Sequence, residues 1–364
     1  MTVKDITKIL EELAPLAHAE DFDNVGLLVG DPNMTVNGIL VTLDTLENVV
    51  DEAISKKHNL IISFHPIIFS GLKKLTGSNY VQRVVMKAIA NNIAIYSMHT
   101  ALDNSKNGVN AKICEVLGID NPKILIPKAG TIKKLTTYAP INEAETVKSA
   151  LFAAGAGEIG KYSNCSFSLE GSGTFMAGEE ANPTIGDIGK VHVENEVHIN
   201  VIFSFEREQQ ILNALFDAHS YEEVAYEISV LQNMNQDIGI GMVGTLKTEM
   251  DEIEFLEYVK TKMNASVVRH TRLLGKKVKR VAVLGGSGAF AISAAKKAKA
   301  DVFITSDLKY HQFFEAENQL VLADIGHFET EQFTKDLLVD YLTKKIPNFA
   351  VSLSESKTNP IKYL

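Results

Sequence analysis

Four of the ten histidines stand where a folded chain would gather them. His65 follows the apolar run NLIISF. His99 follows IAIYSM, with Asp103 four residues on. Asp307 and His311 follow DVFIT, and Asp324, His327 and Glu331 follow QLVLA. Imidazoles and carboxylates without cysteine form a ligand set suited to zinc, manganese, iron or cobalt. His327 and Glu331 are spaced i, i+4 at the opening of a helical pattern, so one helix face projects both. One such pair is by itself an ordinary surface ion pair; the metal signal is the convergence of separate segments. The remaining six histidines lack this placement and read as surface or satisfied core residues.

Convergence requires elements that end together. Short β-rich runs at 38–43, 59–64 and 93–98 alternate with helical stretches, which predicts a parallel α/β sheet. The rhythm returns at 278–284, 301–305, 319–323 and 349–353. In such sheets ligands sit at the carboxyl ends of the strands, where the histidines fall. The first helix is marked by apolar residues Ile6, Ile9, Leu10 and Leu13, with Thr2 as N-cap and Asp5 three residues on. Between the α/β halves the pattern becomes β-α-β-β-α-β, the ferredoxin-like order. The expected architecture is a discontinuous α/β domain, 1–130 and 232–364, with a mostly parallel sheet flanked by helices. An α+β domain, 131–231, interrupts it, and the glycine-rich stretch 239–244 carries the return.

Two further segments are polar and turn-prone. GGSG at 285–288 reads as a tight turn between strand and helix whose N–H groups could meet a phosphate at the same sheet edge. It lacks the Lys and Ser/Thr of a P-loop and the spacing of a dinucleotide fingerprint. Asp23, Asn24 and Gly26 read as a loop and cap.

The 364 residues predict two domains. With 36 Lys and Arg against 45 Asp and Glu, the net charge of −9 argues against a protein that coats nucleic acid. A hydrophobic fraction of 45% excludes global disorder. Cys114 and Cys165 are too few for a disulfide framework and read as buried free thiols. The N-terminus lacks the apolar block of a signal peptide, and residues 281–295 are too short and glycine-broken to span a bilayer, so a cytoplasmic setting without membrane contact is expected.

The segments EDFDNVGLLVGD, IISFHPIIF, MHTALDNSKNGVN, GGSGAF, TSDLKYH and IGHFETEQ occur in that order. Together they resemble the Nif-three-like family, also called GTP cyclohydrolase I type 2 homologues, over nearly the whole chain. GSGTFMAGEEANP and AHSYEEVAYEI look like the PII/CutA-like insert of its longer bacterial members. The resemblance implies two divalent metal ions per subunit, zinc foremost, held by His65, Asp103, His327 and Glu331, with Glu331 bridging. It places Asp307 and His311 in the same cleft and His99 beside it, as the catalytic candidates. It also implies a toroidal homohexamer with trimer contacts through the insert. One departure stands out: many members carry two adjacent histidines where this chain has Phe64 and His65, and phenylalanine ligates nothing.

Two functions follow. The first is a metal-dependent hydrolase acting on a nucleotide or another phosphorylated small molecule. The second is a non-enzymatic metal-binding ring with a PII-like sensor domain, acting in regulation or as a scaffold.

Overall fold

The computed structural model describes all 364 residues, which divide into two compact units: Met1–Pro127 with Asp237–Leu364, and Lys128–Gln236. The first unit contains two sheets, not the single sheet that the strand rhythm suggests. One has five strands in the order Gly26–Val29, Ala94–Ser97, Leu60–Ser63, Ile39–Thr42, Val351–Leu353. All but the first of these run parallel. The other has six, in the order Arg269–His270, Val321–Asp324, Val302–Ser306, Lys277–Ser287, Asn235–Asp251, Ile119–Lys128. Its central three are parallel, and strands Arg269–His270 and Asn235–Asp251 flank them antiparallel.

Strand alternation explains the layering. In the first sheet Leu40, Ile61 and Ile95 face helices Glu47–Ser55 and Tyr80–Ala90, meeting Val49, Val50, Val84 and Ala88. Ile39, Val41, Ile62 and Tyr96 face the other way, into a core that also takes Val281, Val283, Val302 and Ile304 of the second sheet. Helices Val3–Leu13, Val109–Val116 and Thr334–Lys345 contribute Ile6, Leu10, Ile113 and Leu338 to that same core. The two sheets therefore join through shared side chains, not by edge pairing. A strand buried on both faces shows only an apolar run, so its sequence does not say which sheet it enters. The first helix begins as its sequence implies, with Thr2 and Asp5 forming a reciprocal capping box.

The second unit is one antiparallel sheet in the order Ser166–Met176, Val191–Ser204, Ile132–Pro140, Tyr226–Leu231. Helices Ala144–Ala153 and Glu208–Ala218 bury Val147, Leu151, Ile211 and Leu215 against Leu135, Ile199 and Val201. Along the chain its elements run β-α-β-β-α-β. Cys114 is buried, and burial pushes its thiol up to about 12. Cys165 is only half-buried, because it lies outside this core. No helix is long and apolar enough to cross a membrane.

Candidate metal centre

Parallel register brings the strand ends together. Thr42, Ser63 and Ser97 are paired neighbours at the carboxyl ends of the first sheet, and Asp44, His65 and His99 follow them. In the second sheet Ser287 pairs with Ser306 and Thr305 with Asp324, and Asp307 and His327 follow. His65, His327 and Glu331 place their ligand atoms within 4.8 Å of one another, a grouping able to hold a metal ion. Helix His327–Glu331 supplies two of the three at i, i+4. Nε2 of His65 and Nε2 of His327 each lie 3.1 Å from Glu331 Oε2. These are ion-pair distances without hydrogen-bond alignment, and the buried Oε2 has no hydrogen-bond partner.

Each inward-facing histidine is fixed from behind by an aspartate. His65 Nδ1 lies 2.8 Å from Asp44, His327 Nδ1 2.7 Å from Asp307, and His99 Nδ1 2.8 Å from Asp23. An Nδ1–H donated to a carboxylate leaves Nε2 as the coordinating atom, the usual outer support of a metal-ligating imidazole. The supports are themselves held. Asp23 accepts from the backbone N–H and hydroxyl of Thr100, Asp307 from the Ser287 hydroxyl, and Asp44 from the Thr358 hydroxyl at 2.7 Å.

The charges are coupled. Burial works to lower the His65 imidazole, but Asp44 and Glu331 on its two nitrogens raise it to about 10. The same balance, with Glu331 and Asp307, holds His327 at about 9. Burial would raise the Glu331 carboxyl, yet His327 and His65 keep it at about 2. Burial likewise opposes ionisation of Asp23, and His99 and Thr100 outweigh it, to about 2. Asp103 lies just outside the close trio. Its carboxyl is buried, its Oδ1 has no hydrogen-bond partner, and burial with the nearby Glu331 charge pushes it well up. A divalent cation would give both buried carboxylate oxygens the direct partner that no hydrogen bond supplies. The residues present therefore fit a metal.

The structure places three features that the sequence singles out. The segment 285–288 does lead from strand to helix, but strand Lys277–Ser287 runs through most of it and the passage into helix Ala289–Ala291 falls on Gly288 alone. Two of its amides are already used, Gly285 N–H donating to Asn110 Oδ1 and Gly286 N–H to Thr330 Oγ1. They do not await a phosphate. What the glycine provides is close approach: Gly286 has φ +70°, and a Cβ there would lie 2.5 Å from Glu331 Oε1. Gly286→Ala is expected to cost about 1–3 kcal/mol of stability through that backbone conformation. It should also displace Glu331, which thermal unfolding and elemental analysis together would register. Second, Phe64 is fully buried in the shared core, its ring 4.9 Å from that of His65 and 5.5 Å from that of His99. Third, His311 is exposed on the short helix Tyr310–Ala316, with its ring against Tyr310 and Phe314, and no hydrogen bond or ring contact joins it to the trio.

Asp44 and the aspartate role of Asp23 escape the sequence reading. Asp44 follows a recognised strand, 38–43, so the strand-end rule that finds His65 would have found it too. Thr358 carries no signal of its own; only folding brings it to Asp44. Asp44→Asn and Thr358→Val should weaken metal affinity about 10–100-fold while the ligands remain. Competition against a chelator of known affinity checks this, and an unchanged affinity in both would show that His65 needs no such support.

The fold and the site thus define an α/β protein with a candidate His–Glu metal triad at facing strand ends. The chain belongs to the Duf34/NIF3 (NGG1p interacting factor 3) family, whose model matches residues 1–360. A Bacillus subtilis protein named "GTP cyclohydrolase 1 type 2 homolog" is 39% identical over 99% of this chain and 98% of its own. A Bacillus cereus protein related to NIF3 has a solved structure that superposes with a TM-score of 0.86 at 36% identity, covering 100% of this chain and 99% of that one. A Staphylococcus aureus structure gives 0.79 at 30% identity, covering 100% and 99%.

Proposed function

We propose that this protein is a divalent-metal hydrolase acting on a nucleotide or another phosphorylated small molecule. The observation that supports this best is a pair of histidines, His65 and His327, each backed by an aspartate at Nδ1 and each 3.1 Å from a buried glutamate oxygen without a hydrogen-bond partner. His65, His327 and Glu331 would hold one ion. Glu331 with Asp103 would hold a second, with zinc the first choice for both. A bound divalent ion supplies Lewis acidity and makes water ionise nearer neutral pH. The chain's own part is to direct each Nδ1–H to its aspartate, which accepts it, so that the imidazoles stay oriented and cannot rotate away. His99, paired to Asp23 and with its ring centroid 5.4 Å from that of His65, is placed to hold or pass a proton at the edge of the site. Asp307 orients His327.

The name of the Bacillus subtilis relative points to GTP ring opening, and GTP therefore belongs in the first substrate screen. The Gly285 and Gly286 amides are engaged within the chain, so phosphate recognition would fall chiefly to the metal ions. The inserted unit is read as a PII/CutA-like module through which a cytoplasmic homohexameric ring assembles. Incubating the metal-loaded protein with nucleoside triphosphates and phosphate esters tests the reading. Turnover abolished by Glu331→Gln supports it. Metal binding without turnover of any of them would favour the regulatory ring instead, a reading that Phe64 assists by removing one ligand position.

A further inference from the structure

The inserted unit contains a cavity of about 410 Å³, entirely within its own residues. Its walls are apolar and aromatic: Tyr138, Phe175, Ile185 and Tyr221 among them. Glu196, Glu222 and Glu223 also line it, and no Lys, Arg or His does. A volume of this size suits a small organic ligand, since such pockets run from about 300 Å³ upward.

The walls are built, not incidental. The imidazole of buried His219 is bonded at both nitrogens, Nε2 at 2.8 Å from the Tyr138 carbonyl and Nδ1 accepting the Tyr221 N–H at 3.1 Å. That ties two aromatic walls to one ring. The loop on the far side is pinned too: Asn182 N–H donates to Glu222 at 2.8 Å, and the Thr184 hydroxyl to the Ser220 carbonyl at 2.9 Å. Glu196 accepts the Tyr221 hydroxyl at 3.0 Å through Oε1. Its Oε2 lies over Gly173, in space that a side chain there would fill, and Glu196 pairs with no cation. A carboxylate facing an aromatic-walled cavity without a counter-ion is complementary to a cation carrying an apolar body. Aromatic faces add to that preference.

We propose that this cavity binds a small primary amine borne on a flat apolar group, with Glu196 as its anchor. The claim is independent of the metal centre, whose metal content serves as a control for intact folding. The chain has no tryptophan, so an indole ligand can be followed by its own fluorescence. The full-length protein is titrated into tryptamine, and separately into indole-3-propionate, reading anisotropy. Saturable binding of tryptamine, absent for the acid, is expected. Glu196→Gln should weaken it about tenfold or more, as loss of a charge-assisted hydrogen bond does. Ala181→Phe, which fills the cavity from the loop and leaves Glu196 in place, should weaken it as well. Equal binding of amine and acid, no saturation with tryptamine, or full affinity in both variants would overturn the proposal. So would a change of mass in solution for Ala181→Phe with tryptamine binding unaltered, since the cavity would then be a contact between copies of the chain.

Discussion

Protein carrying Glu331→Gln should emerge from purification nearly free of divalent metal, while the parent carries about two ions per chain. The substitution is small in volume and large in charge. Glu331 is only 3% exposed and is the shared counter-charge of His65 and His327. Glutamine keeps the shape but presents a neutral amide, and its N–H₂ can turn toward the space where an ion would sit. Loss of a charged ligand should exceed the roughly 10–100-fold that loss of an outer hydrogen-bond partner costs. Elemental analysis of tag-free protein, prepared without added metal, makes the comparison. A parent with about one ion would locate the deficit at Phe64. A variant that retains its metal would place the centre elsewhere, and with it the hydrolase reading would fail.

How much of this site can be read from residues alone depends on whether the relevant geometry is local. The i, i+4 spacing of His327 and Glu331 fixes a common helix face whatever the rest of the chain does, and the structure shows that face. His65 and His99 were legible one step less directly, because an apolar run predicts a strand and a strand has a carboxyl end. Asp103 shows where this stops. It shares the spacing of the helical pair, yet its oxygen stays outside the 4.8 Å trio, and its importance lies in burial that no local pattern reports. Thr358 is further still from legibility. Its hydroxyl reaches Asp44 across 314 positions of sequence, and a threonine in a polar tail carries no mark of it.

The fold divides the same way. Capping of the first helix is a three-residue event and is visible in Thr2 and Asp5. Pairing of the strands into two sheets, not one, depends on helix residues such as Ile113 and Leu338 filling the space between them. GGSG is legible only in part, for a subtler reason. Glycines signal freedom of the backbone without saying whether a turn, a ligand or a neighbouring side chain requires it. Here the requirement is Glu331, pressed against Gly286.

Metal affinity should rise steeply with pH, and the sign follows from the charges on the metal-free site. His65 at about 10 and His327 at about 9 both carry protons on Nε2 at neutral pH. An ion can take those nitrogens only by displacing two protons, so each unit of pH below about 9 should cost up to roughly 100-fold in apparent affinity. The stability of the metal-free protein runs the other way. Both folded-state values lie above the ordinary histidine value of 6.5, so their contribution is full below about 6.5 and is lost as pH rises through 9 to 10. Glu331 is depressed from 4.5 to about 2, so its share is present above 4.5 and lost as pH falls through 2. The ion-paired trio therefore supports the metal-free fold most between about 4.5 and 6.5, and most of that support persists at neutral pH. Added metal should raise the unfolding temperature little at pH 6 and much more at pH 8.5. Zinc titrations by calorimetry in two buffers of different ionisation enthalpy count the protons directly. About two released at pH 7 is the expected result. Near zero would mean that the histidines are already neutral, and that Asp44, Asp307 and Glu331 hold them by geometry and not by charge.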